Sequence, residues 1–221
     1  MTRIVIAGGG GFGLELYGYL CQDLASGRLT GHTFAGVLDD GGDCELLRKT
    51  AGATYLGPIR EYRPHADDRI AIAVGSVAGR RKIAAMLREQ GARLFTYTHG
   101  SCWISPTSSL GEGTLVCPNS IVNAGAVVEE NVVVNVFCSV GHGAHIGANS
   151  VLSPYCSLSG DSRLGEGCFM GTRATLFPKV GMGAGCVVDA HSAVKQSVSD
   201  DTTVSTRGQY LVLPHRQHPA P

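Results

Sequence analysis

Val134-Asn135-Val136-Phe137-Cys138-Ser139-Val140-Gly141-His142-Gly143-Ala144-His145-Ile146-Gly147-Ala148-Asn149-Ser150-Val151-Leu152 is the stretch that decides the fold. Its aliphatics Val134, Val140, Ile146 and Leu152 stand six residues apart, and four residues after the first three come the slim side chains Cys138, Ala144 and Ser150. Followed outward, the beat runs unbroken from Ile104 to Val194, with Leu, Ile, Val or Met at every sixth position. Neither the strand period of 2 nor the helix period of 3.6 produces it. A six-residue repeat fits a parallel β-helix of triangular cross-section, with one short strand and one corner per repeat. The fifteen repeats make about five coils, each of three repeats. The large aliphatic points inward, the slim residue lies near the narrow corner, and Gly111, Gly141, Gly147, Gly165, Gly171 and Gly183 relieve crowding or permit unusual dihedrals at the turns. Residues 18 apart should stack, as Cys138 on Cys156 and Cys168 on Cys186. A single coil could not bury its apolar stripe; stacking makes the core continuous.

The chain has 221 residues, enough for one or two domains, and 18 Lys plus Arg balance 18 Asp plus Glu. Such a balance offers no basic surface for nucleic acid or anionic membrane. No apolar run is long enough for a membrane span, and Met1-Thr2-Arg3 leads straight into the strand-like Ile4-Val5-Ile6-Ala7 instead of a signal peptide. The expected location is therefore cytoplasmic. The eight cysteines form no CxxC pair and no Cys/His set with zinc spacing, so buried thiols are expected, with no disulfide and no metal.

Residues 3–96 obey a different pattern. The strand Ile4–Ala7 enters Gly8-Gly9-Gly10-Gly11-Phe12-Gly13, after which Leu14, Leu16, Tyr17, Leu20, Cys21 and Leu24 form a helical stripe. Phe34–Leu38 ends at Asp39-Asp40, and Ile70–Val74 leads through Gly75-Ser76 into a helix over Arg80–Gln90. Alternating strands and helices predict a small Rossmann-like parallel α/β domain, and sites in such sheets gather beyond the C-terminal strand ends. Glycines at 8, 9, 11 or 13 would bring backbone N–H groups to a diphosphate at a helix start, and the two acids could accept from a ribose or base. A tight turn explains the glycines equally well. Fewer than 100 residues cannot hold two mononucleotide halves, so one nucleotide moiety attached to something else is expected. The expected division is 1–98 for the nucleotide-binding domain, 99–198 for the β-helix and 199–221 for a C-terminal extension.

Within the coil, His142 has Ala124 below and Gly160 above by the stacking rule, leaving room for a ligand beside its ring. A neutral imidazole there can take a proton from an amine or hydroxyl attacking an acyl carbonyl. The bland reading is a surface histidine, and the same holds for His145. Candidates to orient the base are a backbone carbonyl, Asp161, or Glu129 and Glu130. No Ser-His-Asp set and no metal cluster is evident, so the nucleophile is expected to come from the substrate.

With Ile4-Val5-Ile6-Ala7-Gly8-Gly9-Gly10-Gly11, Gly36-Val37-Leu38-Asp39-Asp40, Ala73-Val74-Gly75-Ser76 and the unbroken solenoid in this order, the chain resembles the NeuD/PglD-type sugar acyltransferases, left-handed β-helix hexapeptide enzymes. The resemblance implies a homotrimer with acetyl-CoA between neighbouring β-helices and a sugar nucleotide on the N-terminal domain. It matches His142 to the catalytic base in Val140-Gly141-His142-Gly143-Ala144-His145-Ile146-Gly147, and Asn135 to an acceptor-contacting asparagine. Gly8, Gly9, Gly11, Asp39, Asp40, Ser76 and Arg80 fall on the sugar-nucleotide side. Gly160 falls near the CoA thioester, with Thr172 and Ala190 along the same groove; Lys195 could approach the CoA phosphates or remain a solvated terminal lysine. Three positions depart from the family pattern: Gly143 replaces the acid beside the base, Val151 stands where some relatives have a second histidine, and Phe12 replaces a frequent loop histidine.

The expected activity is N-acetylation of a nucleotide-linked aminodeoxysugar in polysaccharide biosynthesis, with O-acetylation or a silent sugar-nucleotide-binding protein as alternatives. Residues 207–213 are expected to cover the open end of the prism, and Pro214–Pro221 to form a surface terminus.

Overall fold

The computed structural model describes residues 1–206, so the expectations for 207–221 lie outside the described residues. The N-terminal part is a four-stranded parallel sheet formed by β1 (Thr2–Ala7), β2 (His32–Leu38), β3 (Tyr55–Gly57) and β4 (Asp68–Ile72), in the order β3-β2-β1-β4. Helices α1 (Gly11–Ala25), α2 (Glu45–Lys49) and α3 (Val77–Glu89) connect and cover it. Short β3 and α2 had no signal in the sequence: neither is long enough to show a period. Burial follows the expected stripes. Ile4, Ile6, Leu16 and Leu20 pack on one side of the sheet with Val37, and Val5, Ala7, Ile70 and Ile72 pack on the other with Ala84 and Leu87 of α3.

The remainder is a left-handed parallel β-helix of two-residue strands, stacked into three faces of five, seven and six strands. From Tyr97 to Val194 each strand pairs with the one 18 residues away, as Val133 with Val151 and Ser139 with Ser157. The repeat aliphatics from Val116 to Val194 form one continuous core with the slim residues between them; Ile104 and Leu110 close it at the start, half buried. Pairing also draws Tyr97–Thr98 and Thr203–Val204 into the seven-stranded face, so the ladder itself runs from Tyr97 to Val204.

The corners separate two roles that glycine shares in the sequence. From Leu110 to Val188, the third residue after every inward aliphatic has positive φ. Five of these positions are glycine, but the others include Phe137, Tyr155, Arg173 and Lys179, which accept a left-handed conformation costing about 1–2 kcal/mol each. Gly141, Gly147 and Gly171 are not among them. They answer to crowding: a Cβ on Gly141 would lie 2.7 Å from the Gly160 nitrogen on the next coil.

The α/β domain docks along one corner line of the prism, through Asn131, Asn149 and Gly167. Arg80 of α3 is central there, with 0% exposure. Its guanidinium donates to the Ile72 and Val74 carbonyls, to the Asn131 side-chain oxygen at 2.7 Å and to the Asn131 carbonyl at 3.2 Å. Asn131 passes the network to Asn149 at 2.8 Å. Arg81 with Glu166 and Arg88 with Glu130 extend the seam at its solvent edge. Burial pushes the Arg80 guanidinium down to about 9, so it stays charged at neutral pH. The expected role of Arg80 in holding a sugar nucleotide is thereby corrected. Its donors are spent on protein oxygens, and no face of it reaches solvent.

Candidate active site

The glycine loop is shaped from within. Gly8 has φ +104, and its N–H donates to the Leu38 carbonyl at 2.9 Å. Gly9 donates to the Asp39 carboxylate at 2.8 Å, whose other oxygen accepts from Gly41 at 2.9 Å. A Cβ on Gly9 would collide with Cys44, and one on Gly13 with the Gly8 carbonyl, so close packing demands both glycines. The N–H groups of Gly8 and Gly9, expected to approach a diphosphate, are spent within the loop, while the half-exposed Asp39 carboxylate shapes the loop from its rim. Gly10 and Gly11 are the solvent-facing members. There α1 begins at Gly11 with no side-chain cap and no acid in its first turn, leaving its first N–H groups open to an anion.

Ser76 is exposed at the end of β4 and caps α3, its hydroxyl accepting the Gly79 N–H at 3.3 Å. Asp40 is exposed and lines a cleft of about 330 Å³ with Arg60, Gly79, Lys82, Ile83 and Met86. Arg60 and Lys82 were not singled out from the sequence. Their place beside Asp40 depends on how α3 and the turn after β3 fold against the sheet, which no local spacing encodes.

His142 stands at a second corner of the prism, away from the α/β seam. Its side chain is 72% exposed, and no hydrogen-bond donor or acceptor among the described residues reaches the ring. The stacking rule holds: Gly143 N–H donates to the Ala124 carbonyl at 2.9 Å, and Asp161 N–H to the His142 carbonyl at 2.8 Å. The ring occupies the space that a side chain at Gly160 would fill, with Nε2 and Cε1 nearest to it. Among the described residues the Gly160 N–H has no backbone acceptor, whereas Ser159 and Asp161 on either side do. His145 is differently placed: its Nε2 lies 3.0 Å from Glu129, a carboxylate also bound to the Ala148 N–H at 2.9 Å. Val151, where a second histidine stands in some relatives, is buried.

Asn135 lies at the corner preceding His142, across the strand Ser139–Val140. Its side-chain oxygen accepts the Val136 N–H at 2.7 Å. The exposed Phe137 and Tyr155 rings stack on this corner, centroids 5.0 Å apart, with Arg173 over Tyr155. Thr172 and Ala190 belong to the same corner line as Asn135, whereas Gly160 belongs to that of His142. Lys195 follows Phe177 up the His142 edge, with Nζ 5.7 Å from the ring centroid, and lines a cleft at the end of the prism. The expected single groove is therefore divided between two edges of one chain. No group of three or more metal-ligating side chains occurs among the described residues, and no described helix is long and apolar enough to cross a membrane. All eight cysteines are free thiols, six of them buried.

No family model matches the chain. Among solved structures, perosamine N-acetyltransferase from Caulobacter crescentus, with CoA and GDP-perosamine, is 27% identical over 93% of this chain and 94% of its own, with a TM-score of 0.82. The acetyltransferase domain of PglB from Neisseria gonorrhoeae, in a form with acetyl coenzyme A, is 26% identical over 92% of this chain and 96% of that one, TM-score 0.79. WeeI from Acinetobacter baumannii shares the fold at 21% identity over 93% and 97%, TM-score 0.80. The likeness spans the α/β domain as well as the repeat, and it is a strong structural homology to left-handed β-helix hexapeptide acyltransferases that matches the NeuD/PglD type.

Proposed function

We propose that the protein transfers an acetyl group from acetyl-CoA to the amino group of a nucleotide-linked aminodeoxysugar, with His142 as general base. The observation that carries this reading is the exposed, unbonded imidazole of His142, lying over Gly160 at a corner the α/β domain leaves open. The likeness to an N-acetyltransferase solved with CoA and GDP-perosamine supports the substrate class. An amine has one proton too many once it attacks. Nε2 takes that proton as the amine nitrogen bonds to the thioester carbonyl carbon, and the proton passes to the sulfur as the C–S bond breaks, giving an amide and the free thiol. The unoccupied Gly160 N–H is suited to stabilise the tetrahedral oxyanion. The missing side chain at Gly160 and the short ones at Thr172 and Ala190 leave backbone groups within reach of a pantetheine arm, and Lys195 supplies a cation for the CoA phosphates. The nucleotide would rest at the open start of α1 near Gly11, with Asp40 and Ser76 at its margin.

The division of the edges supports assembly as a homotrimer. In a homotrimer, the Asn135 edge of one subunit, with Thr172 and Ala190, faces the His142 edge of its neighbour, with Gly160 and Lys195, and each groove is completed by two chains. The α/β domain of a neighbouring subunit would then present the sugar nucleotide to His142. The balanced charge supports a small-molecule substrate over nucleic acid, and a cytoplasmic location accords with use of acetyl-CoA.

The test is acetyl transfer to a panel of nucleotide-linked amino sugars, with alkaline treatment of the product. An alkali-stable acetyl group is expected. An alkali-labile ester would instead establish O-transfer, and tight sugar-nucleotide binding without acetyl-CoA binding would leave a binding protein.

A further inference from the structure

His142 has no hydrogen-bonding partner within its own coil. An exposed imidazole with no partner spreads over rotamers and over two tautomers, and only one tautomer leaves the substrate-facing nitrogen free to accept a proton. Three carboxylates are the candidates to correct this. Glu129 is engaged by His145 and the Ala148 N–H, and Glu130 is held by both terminal nitrogens of Arg88 at 3.0 and 2.8 Å. Asp161 is different: its Oδ1 lies 4.0 Å from His142 Nδ1, and its side chain is 53% exposed and free to turn.

We propose that Asp161, one coil away from the base, is the positioning carboxylate of His142, and that Gly143 exists to admit it. This inference rests on His142 being the base. Asp161 cannot drift along the corner, because its backbone N–H is bonded to the His142 carbonyl at 2.8 Å. A Cβ on Gly143 would collide with the Asp161 Oδ1, so a side chain at 143 would force the Asp161 carboxylate out of its present rotamer beside His142. On the far side, Gly160 leaves the space into which Nε2 projects. The ring is thus seated between two absent side chains, with Nδ1 toward the carboxylate and Nε2 toward the acyl site. Lys179 is the cation on the next coil of this corner, its N–H bonded to the Gly160 carbonyl at 3.0 Å; Lys195 lies beyond it over Phe177. Neither is bonded to Asp161. A side-chain rotation closes the 4.0 Å gap to a hydrogen bond, Nδ1 keeps its proton, and the carboxylate offsets the imidazolium charge when Nε2 accepts the second.

The experiment compares wild type, Asp161→Asn, and the double variant Gly143→Asp with Asp161→Gly, in the full chain. Both substituted sites have positive φ, which Asn, Asp and Gly tolerate. Asp161→Asn is expected to lower kcat by about 10- to 100-fold with KM for acetyl-CoA and acceptor unchanged, since a displaced base costs rate more than binding. The double variant, which moves the carboxylate to the adjacent position, is expected to recover most of the loss. A kcat within two-fold of wild type in Asp161→Asn would overturn the proposal while leaving the acetyltransferase reading intact. Should wild type transfer no acetyl group, that reading fails, and Asp161 is judged by the ¹⁵N spectrum of His142 alone. Enrichment of the Nδ1–H tautomer in wild type and its loss in Asp161→Asn sustains the positioning role; identical spectra sink it.

Discussion

Arg80 and His142 are both polar residues at corners of the same prism, and they have opposite fates. Arg80 is wholly enclosed, with every nitrogen of its guanidinium turned to a protein oxygen, and holds two domains together. His142 is 72% exposed, with its ring unbonded and an open N–H above it at Gly160. Saturated polar groups build; unsaturated ones, placed where a ligand can reach them, are available for chemistry. The same contrast divides the glycine loop, where Gly8 and Gly9 are spent internally and Gly10 and Gly11 face solvent.

Substitutions probe this contrast at decreasing scale. His142→Ala should lower kcat by about 10²- to 10⁴-fold with melting temperature unchanged; a loss of only two-fold in steady-state acetyl transfer would remove the general-base assignment. Arg80→Met should do the reverse. It leaves the Asn131 oxygen and the Ile72 carbonyl without a donor, a cost of about 3 kcal/mol, seen as a melting temperature lower by roughly 6–12 °C with activity per folded molecule retained. Gly160→Ala crosses between the two classes, because the added methyl evicts the imidazole from its seat. A loss of about ten-fold in kcat is expected with little change in thermal stability.

The smallest effect belongs to a second saturated group, Asp68. Burial pushes its carboxyl up, but the Tyr62 hydroxyl at 2.6 Å, the His65 N–H at 2.7 Å and Arg3 at 2.9 Å outweigh this and hold it below the usual carboxylate range. A depressed folded value means that its stabilisation is present above the unfolded value of about 3.9 and disappears as pH falls through the lower folded one. Asp68→Asn should therefore cost roughly 1 kcal/mol near neutrality, and the difference in denaturant midpoints should vanish in strong acid.

The solenoid was legible because its repeat is local: each aliphatic has one neighbour 18 residues along, and a stack needs no long-range rule. His142 over Gly160 was readable for the same reason. Arg80 was not. Its position after Ser76 on α3 is compatible with a ligand or with the seam, and only the docking of α3 against Asn131 selects the seam. The partition of Asn135, Thr172 and Ala190 from His142 and Gly160 is contained in the 18-residue coil; what the beat does not say is which of three corners the α/β domain will cover.

The amino-acid order by itself determined the six-residue scaffold, the parallel α/β domain before it and the histidine worth asking about, since each follows from periodicity or from neighbours one coil apart. Tertiary structure decided which polar groups were consumed and which were left open. That outcome depends on the seam where α3 brings Arg80 to Asn131, a contact between segments 51 residues apart whose separation carries no periodic signal of their pairing.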